Sequence, residues 1–492
     1  MGHTISGILL SQVSELVTAQ LGLYFPRERW SDLERGVGSA ASEFGFKNPE
    51  ACIQWLLSSP LTKHQIEILA SHLTVGETYF FRDKKSFEIL GEQILPAVIH
   101  TRRGTEQRLR IWSAGCSTGE EAYSIAMLLD QHIPDLQDWN ITIRATDINP
   151  HLLRKASEGL YKEWSFRDAP PWLKKRYFQT KSESCFELLP RIRKRVTFSY
   201  LNLAEDVYPS LLNNTNAMDV IFCRNVLMYF APEQAKKVVH NFYRALVHKG
   251  WLIVSYSETS HISLSQFVSI NMTGAAIYQK QVERPQIVES APNWSVEGSE
   301  ISLDQEVTPP QRIRKPTPLL GQYEAKADSY REALTLYEQG CYELAAEKIQ
   351  DHISWNQDDA KAMTLLARIY ANQGKLADAF RWCQKAIAAD KLNAGSYYLV
   401  ATILQEQGQV EEAIHSLKRS LYLDQSFVLA HFALGNLALG QRRYKESDKH
   451  FENALSLLSK YPPEHILPES EGMTSGRLVE IIQSTAYREM SV

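Results

Sequence analysis

Gly340, Gly374 and Gly408 stand 34 residues apart, and two other series keep the same step: Ala333, Ala367, Ala401 and Gly435, then Ala345, Ala379, Ala413 and Ser447. No other feature of the chain restricts its fold so tightly. Small residues at two fixed places in each period let paired helices approach closely, and the glycine turns the chain between them. A single pair leaves an apolar face open, so the pairs must stack into an all-α solenoid. Four pairs fit residues 326–461, the last of them degenerate. The tail over 462–492 has no readable pattern.

Ahead of the solenoid the patterning changes twice. Over residues 1–75 the apolar residues fall at helical spacing, as in Leu9, Val13, Leu16 and Val17. Ser31 with Glu34 has the pattern of a capping box, and Gly36 and Gly38 are placed to stop that helix. Asn48-Pro49 reads as an N-cap with a first-turn proline, and Thr62 with Gln65 opens a further helix. Together these predict an N-terminal helical subdomain.

Over 76–280 apolar strands alternate with helices. Strands are predicted at 109–116, 141–148, 196–203, 218–226 and 250–257, with a closing antiparallel pair at 267–270 and 275–279; helices fall at 120–131 and 232–248. This order predicts a seven-stranded, mixed but mostly parallel α/β sheet with helices on both faces. Such a sheet binds its ligand beyond the carboxyl ends of its strands. A long stretch, 157–197, is inserted between the second and third strands. Residues 281–325 are rich in proline, serine and glutamate without any period, which is linker composition and leaves the placement of the two halves open.

Across all 492 residues the formal net charge is −4, which gives no global attraction to nucleic acid or to an anionic membrane. No run of eighteen apolar residues and no signal peptide is present, so direct membrane insertion is not expected and the compartment reads as cytoplasmic. Met1-Gly2 with Ser6 matches an N-myristoylation pattern that is common by chance. The six cysteines are far apart and form no C-x-x-C pair, so neither a metal site nor a disulfide framework is expected.

The segment Trp112-Ser113-Ala114-Gly115-Cys116-Ser117-Thr118-Gly119-Glu120-Glu121 ends a strand and opens a helix. It is neither G-x-G-x-x-G nor a phosphate-binding loop with its lysine. Two glutamates at a helix start repel a pyrophosphate and suit a cationic ligand, a sulfonium with an amino group above all; a solvated pair in a first turn is the plainer alternative. Asp147 closes the second strand where a nucleotide-binding sheet places an acid for the ribose hydroxyls, and it reads equally well as a turn aspartate before Asn149-Pro150.

Several blocks resemble the chemotaxis-receptor methyltransferases, in the right order over about residues 10–280: Val75–Asp83, Trp112–Ser124, Ala145–Asn149, Asn202-Leu203, Phe222–Val226, Met228–Phe230 and Ser257-Glu258. The 34-residue series is similar to tetratricopeptide repeats. The resemblance implies a Rossmann-like methyltransferase that uses S-adenosylmethionine, releases S-adenosylhomocysteine and esterifies receptor glutamates. It implies that Thr78 and Arg82 hold the methionine portion, Glu121 the amino end and Asp147 the ribose. Asn202 and Leu203 would frame the adenine, Arg224 and Asn225 would close the fourth-strand side, and Tyr229 would lie near the transferred methyl. Arg82 and Tyr229 are thus the catalytic candidates. Where some relatives have asparagine two places before the threonine, this chain has Gly76, which can serve only through its backbone. Without the resemblance, Arg82 reads as a surface charge and Tyr229 as core packing.

A glutamate acceptor has an ordinary pKa of ~4.3 and is already an anion at neutral pH, so no general base is required. The insertion carries ten Lys and Arg against four Asp and Glu over 162–198. It is either a solvated charged face or a docking surface for an acidic partner, which the cytoplasmic domain of a methyl-accepting receptor would be. The implied partners are therefore that receptor domain and an unidentified protein or peptide on the repeats. A catalytically silent, cofactor-binding repeat scaffold is the competing reading, opposed by the joint presence of Thr78, Arg82, Glu121, Asp147, Asn225 and Tyr229.

Overall fold

The computed structural model describes residues 5–260, 262–272, 274–281 and 321–486. Most of the linker and the start of the myristoylation pattern lie outside them. Four helices open the chain: α1 (Gly7–Leu21), α2 (Trp30–Glu43), α3 (Pro49–Leu57) and α4 (Lys63–Leu73). Asn48 Oδ1 accepts the Glu50 amide at 3.0 Å, and Thr62 with Gln65 closes a capping box. The Ser31 box does not form. Helix α2 starts at Trp30, which puts Ser31 inside it, and Glu34 instead accepts the Ile5 amide at 3.0 Å. Nor do Gly36 and Gly38 stop the helix. Gly36 is needed because α4 lies against it: a Cβ there would meet the Leu73 side chain at 2.6 Å and the His72 carbonyl oxygen at 3.0 Å.

Helices α5 (Lys84–Ile89) and α6 (Leu95–Arg102) lead into β1 (Arg108–Ala114), α7 (Glu120–His132), β2 (Asn140–Asp147) and α8 (Pro150–Glu158). The insertion supplies β3 (Leu160–Lys162), α9 (Trp172–Tyr177), β4 (Phe178–Ser182), β5 (Cys185–Leu188) and α10 (Pro190–Arg193). Then follow β6 (Val196–Tyr200), β7 (Met218–Cys223), α11 (Pro232–Ala245), β8 (Leu246–Val254), β9 (Phe267–Met272) and β10 (Ala275–Lys280). The seven-stranded sheet runs β6-β2-β1-β7-β8-β10-β9, parallel as far as β8 and antiparallel in its last two strands. Strands β1 and β7 are buried along their whole length, as a sheet covered on both faces requires. The α11 helix stops at Ala245 rather than 248, because the chain passes directly into β8.

The insertion is a separate antiparallel sheet, β3-β5-β4. Much of its positive charge is matched locally. Glu163 takes Lys174, Glu187 takes Lys181 and Arg193, Asp130 takes Arg176 and Arg191, and Glu77 takes Arg167. Lys175 and Lys194 remain exposed.

The repeat half consists of α12 (Gly321–Glu338) with α13 (Tyr342–Trp355), α14 (Ala360–Asn372) with α15 (Leu376–Ala389), α16 (Ala394–Glu406) with α17 (Val410–Leu423), and α18 (Val428–Gly440) with α19 (Tyr444–Leu458). Gly340, Gly374 and Gly408 turn between the helices of the first three pairs in the left-handed region, at φ 75°, 77° and 79°. In the fourth pair Arg442 occupies the same register at φ 61°, which is where the repeat degenerates. The tail that lacked a pattern contains α20 (Ser475–Ala486), which buries Leu478 and Ile482 in the core of the last repeats.

The two halves touch. Glu406, at the end of α16, pairs with Arg108 at 3.1 Å and Arg110 at 3.5 Å, all three side chains buried. Lys280 donates to the Leu246 carbonyl at 2.8 Å between the rings of Tyr243 and Tyr342. From α20, Arg477 meets Glu205 at 3.5 Å and lies 4.7 Å over the Tyr200 ring, while Lys63 donates to the Glu480 carbonyl at 2.9 Å.

Candidate active site

At the carboxyl ends of β1, β2, β6 and β7 lies a cleft open on one side. Its floor is the turn after β1. Gly115 and Gly119 adopt φ 81° and 91°, with Ser117 between them at φ 51°. A Cβ on Gly115 would stand 2.3 Å from Val226, so only glycine lets the two loops meet. Thr78, Arg82, Glu121, Asp147, Asn202, Leu203, Arg224, Asn225 and Tyr229 all line this space. Gly76 does not, although its carbonyl accepts the Ser117 hydroxyl at 3.1 Å and so ties its loop to the cleft floor.

The two glutamates of α7 part company. Glu121 faces the cleft, accepting the Ser113 hydroxyl at 2.7 Å and Arg224 at 3.2 Å. Glu120 turns away to Thr118 at 2.6 Å and Ser165 of the insertion at 2.9 Å. Only one of the pair can therefore meet a cationic ligand. Burial raises the carboxyls of Glu121, Glu120 and Asp147, opposed at Glu121 by Arg224 and at Asp147 by the amides of Asn149 and Ser117. Those amides sit 2.9 and 2.8 Å from the Asp147 oxygens. Asp147 lines the cleft and also closes the turn, while Asn149 caps α8.

Arg224 is wedged between Glu121 and Asp83, 3.4 Å away, and its buried Nε has no protein partner. Arg82 donates one bond to the Glu77 carbonyl at 2.7 Å. It lies between Phe81 and Asp83, both left-handed at φ 56° and 59°. Such strain at a bulky residue persists only where the surroundings hold it; here Phe81 N binds Ser124 at 3.0 Å.

Two groups of residues received no role in the sequence reading. The first is the connection between α1 and α2: Leu21, Leu23, Tyr24, Phe25 and Arg29 form one wall. Tyr24 N donates to the Tyr229 carbonyl at 2.7 Å, Asn202 donates to the Gln20 carbonyl at 3.0 Å, and Arg29 lies 5.3 Å over the Tyr229 ring. The second is Glu258, fully buried. Its carboxylate accepts the amides of Asn225, Val226, Leu227 and Ser255 within 3.0 Å and that of Met228 at 3.3 Å. It fixes the loop that carries Arg224, Asn225 and Tyr229. The pattern Ser255-x-x-Glu258 was a visible capping-box signal for it.

Residues 76–275 match the family described as CheR methyltransferase, SAM binding domain, and residues 330–394 and 382–415 match tetratricopeptide repeats. A chemotaxis protein methyltransferase of Borreliella burgdorferi is 32% identical over 252 residues, spanning 51% of this chain and 87% of the relative. The chain belongs to the chemotaxis protein methyltransferases. Chemotaxis protein methyltransferase 2 of Vibrio cholerae is 37% identical over 206 residues, covering 42% of this chain and 68% of that protein. Chemotaxis protein methyltransferase 1 of Pseudomonas aeruginosa is 34% identical over 218 residues, covering 43% and 77%. Among solved structures, MamA matches 28% of this chain and 82% of its own at 20% identity and a TM-score of 0.27.

As a member of this family the chain is an S-adenosylmethionine-dependent methyltransferase with tetratricopeptide repeats behind the enzyme. The cleft fits that cofactor. Glu121 and Asp147 bring negative charge to a ligand that carries a sulfonium and an amino group, and Arg82 retains donors for a carboxylate. Among the described residues, no helix is long and apolar enough to cross a membrane, and no cluster of three metal-ligating side chains occurs.

Proposed function

We propose that the chain methylates glutamate carboxylates on the cytoplasmic domain of a methyl-accepting chemoreceptor, with the repeats binding a protein partner. The observation that carries this reading is the make-up of the cleft wall. No histidine or lysine is among the residues lining it, and its carboxylates are engaged: Glu121 by Arg224, Asp147 by backbone amides, Glu77 by Arg167. Burial raises the Cys116 thiol far above its ordinary range, so it does not serve as a base either. An acceptor that must lose a proton finds nothing to take it, whereas a glutamate arrives ionised. Arg29 and Arg82 add two cations that favour an anionic acceptor.

S-adenosylmethionine supplies a methyl group activated by its sulfonium. The chain's residues bind and orient. Arg82 and Thr78 hold the methionine end, Glu121 the amino group, Asp147 the ribose, Asn202 and Leu203 the adenine. Tyr229, braced by Tyr24 and Arg29, borders the acceptor's approach. Alignment of oxygen, methyl and sulfur in a dry cleft is the main source of rate, an effect worth up to ~7–11 kcal/mol. Exposed basic residues of the insertion, Lys162, Lys175 and Lys194 among them, are suited to an acidic receptor surface.

The test is to incubate the protein with receptor-containing membranes and methyl-labelled S-adenosylmethionine, then measure methanol released by base. Base-labile label that disappears with Arg82→Ala supports the reading. Cofactor binding without any receptor ester, or label stable to base, would refute it.

A further inference from the structure

The inner wall of the repeat stack is already filled by the chain itself. The first helices of successive pairs, α12, α14 and α16, touch one another and so form the inner side of the curl. Into this wall projects the turn between α19 and α20. Leu467, Ser470 and Met473 are its buried anchors, with the Leu467 amide bonded to the Met473 carbonyl at 3.0 Å. Between the anchors, two glutamates enter the groove. Glu469 pairs with Arg368 of α14, and its carboxyl carbon lies 3.1 Å from where a Cβ on Gly395 of α16 would stand. Glu471 accepts the Tyr337 hydroxyl of α12 at 2.9 Å, and that hydroxyl accepts from Asn372 of α14 at 3.2 Å. The other Glu471 oxygen accepts the Leu211 amide of the methyltransferase half at 2.9 Å.

The backbone of this turn is unfavourable by itself. Glu469 and Glu471 both lie in the left-handed region, at φ 64° and 54°, beside Gly472 at 97°. Two strained side-chain-bearing residues within three positions persist only where contacts over-determine them, and here the two carboxylates act together with the buried Ser470 hydroxyl, which bonds the Leu467 and Met473 carbonyls. Glu469 is also accessible: a third of its side chain, 32%, meets solvent.

We propose that the repeat groove is a carboxylate-reading site for an acidic segment with two acids one residue apart, and that Glu469-Ser470-Glu471 is a resident mimic which such a partner displaces. Arg368 and Tyr337 are the donors that read it, and Asn372 orients the Tyr337 hydroxyl. A partner offering the same carboxylates replaces the resident contacts like for like, and release relieves the strained turn. The proposal rests on the reading of the repeats as a protein-binding element, and its test involves no methyl transfer, so it fails or stands apart from the reading of the cleft as a glutamate methyltransferase.

The probes are a synthetic peptide of residues 467–473 and a version with both glutamates changed to glutamine. A tethered segment competes at an effective concentration of roughly millimolar, so emptying the groove should strengthen binding of the acidic peptide at least ~10-fold. That gain is expected in the full chain bearing Glu469→Gln and Glu471→Gln, and it should vanish when Arg368→Gln is added. Equal affinity for wild type and variant, or equal binding of the glutamine peptide, overturns the proposal. Hydrogen exchange on the unaltered chain gives a readout independent of any substitution. Millimolar acidic peptide should speed exchange at the Leu467, Ser470 and Met473 amides, and no acceleration beyond that caused by the glutamine peptide overturns the proposal as well.

Discussion

Replacing Glu258 by glutamine removes a single charge from a residue that touches no ligand, yet it should disable the cleft. One carboxylate oxygen accepts the amides of Val226, Leu227 and Met228, and the other accepts those of Asn225 and Ser255. Glutamine keeps one acceptor oxygen and turns an NH₂ group toward amides that are themselves donors. At least two charge-assisted bonds are lost, each contributing ~1.5–3 kcal/mol, which gives roughly 3–6 kcal/mol for the site. At ~2–4 °C per kcal/mol for a domain of this size, the melting temperature of the methyltransferase half should fall by ~6–24 °C.

The loop that Glu258 holds carries Arg224, Asn225 and Tyr229. A displacement of ~1 Å in such groups costs on the order of 100-fold in rate. Differential scanning calorimetry, cofactor titration and base-labile methyl release should all move together in Glu258→Gln. Glu258→Asp, which keeps the charge but shortens the reach, should fall between glutamine and wild type. If Glu258→Gln melts within a degree or two of wild type and binds cofactor equally well, the loop is held by something else and the reasoning is refuted.

Glu406→Ala leaves Arg108 and Arg110 buried without the acid they share. Removing one partner of a buried pair costs ~3–5 kcal/mol, so a lower melting temperature and a more extended particle in small-angle scattering are expected; no change in either would mean that Glu406 does not join the halves. Lys280 is pushed down to about 8 by burial. Its folded value lies below its unfolded value of ~10.4, so its contribution to stability is present above that unfolded value and lost as pH falls through about 8. The difference in stability between wild type and Lys280→Met should therefore change across that window, and a pH-independent difference would contradict it. Glu121 and Asp147 are raised by burial. In the apo protein their contribution is present below the unfolded values and lost as pH rises through the folded ones. Cofactor binding needs the ionised forms, so on acidification affinity should begin to fall above ~4, the ordinary carboxylate range, as read by calorimetric titration; affinity constant down to that range would show that neither carboxylate bears charge against the ligand.

What could be read from the sequence follows from which interactions are local. The glycine at each repeat turn is dictated by a left-handed backbone between two helices, so Gly340, Gly374 and Gly408 announce themselves, and Arg442 marks where the rule lapses. The caps at Asn48 and Thr62 are equally local. Gly36 misled because the partner that excludes a side chain there, Leu73, is supplied by another helix. The same reason separates Glu120 from Glu121. They are neighbours on α7 with identical chemistry, and only the packing of the insertion, through Ser165, decides which one faces the ligand. Arg29, Phe25 and Tyr24 carry no motif at all. They reach the cleft because the connection between α1 and α2 docks on the loop after β7, where Tyr24 N bonds the Tyr229 carbonyl.

The tail was silent in the sequence for a different reason. A capping helix needs one apolar face and a polar remainder, which Leu478 and Ile482 provide without any repeat signature. Yet the same helix sends Arg477 to Glu205 and Tyr200, close to the edge of the cleft lined by Asn202 and Leu203, and anchors Lys63 of the helical subdomain through the Glu480 carbonyl. Glu205 N in turn bonds the Asn202 carbonyl at 3.1 Å. The turn that occupies the repeat groove runs directly into this helix. Groove, capping helix and the loop of Asn202 and Leu203 thus form one chain of direct contacts, each link a hydrogen bond, an ion pair or a covalent step. A repeat array attached only by its linker would leave the cofactor cleft to the methyltransferase half alone. Here one edge of the cleft is braced by residues more than 270 positions downstream of Glu205, which gives the repeats a physical means of acting on the enzyme as well as on its partners.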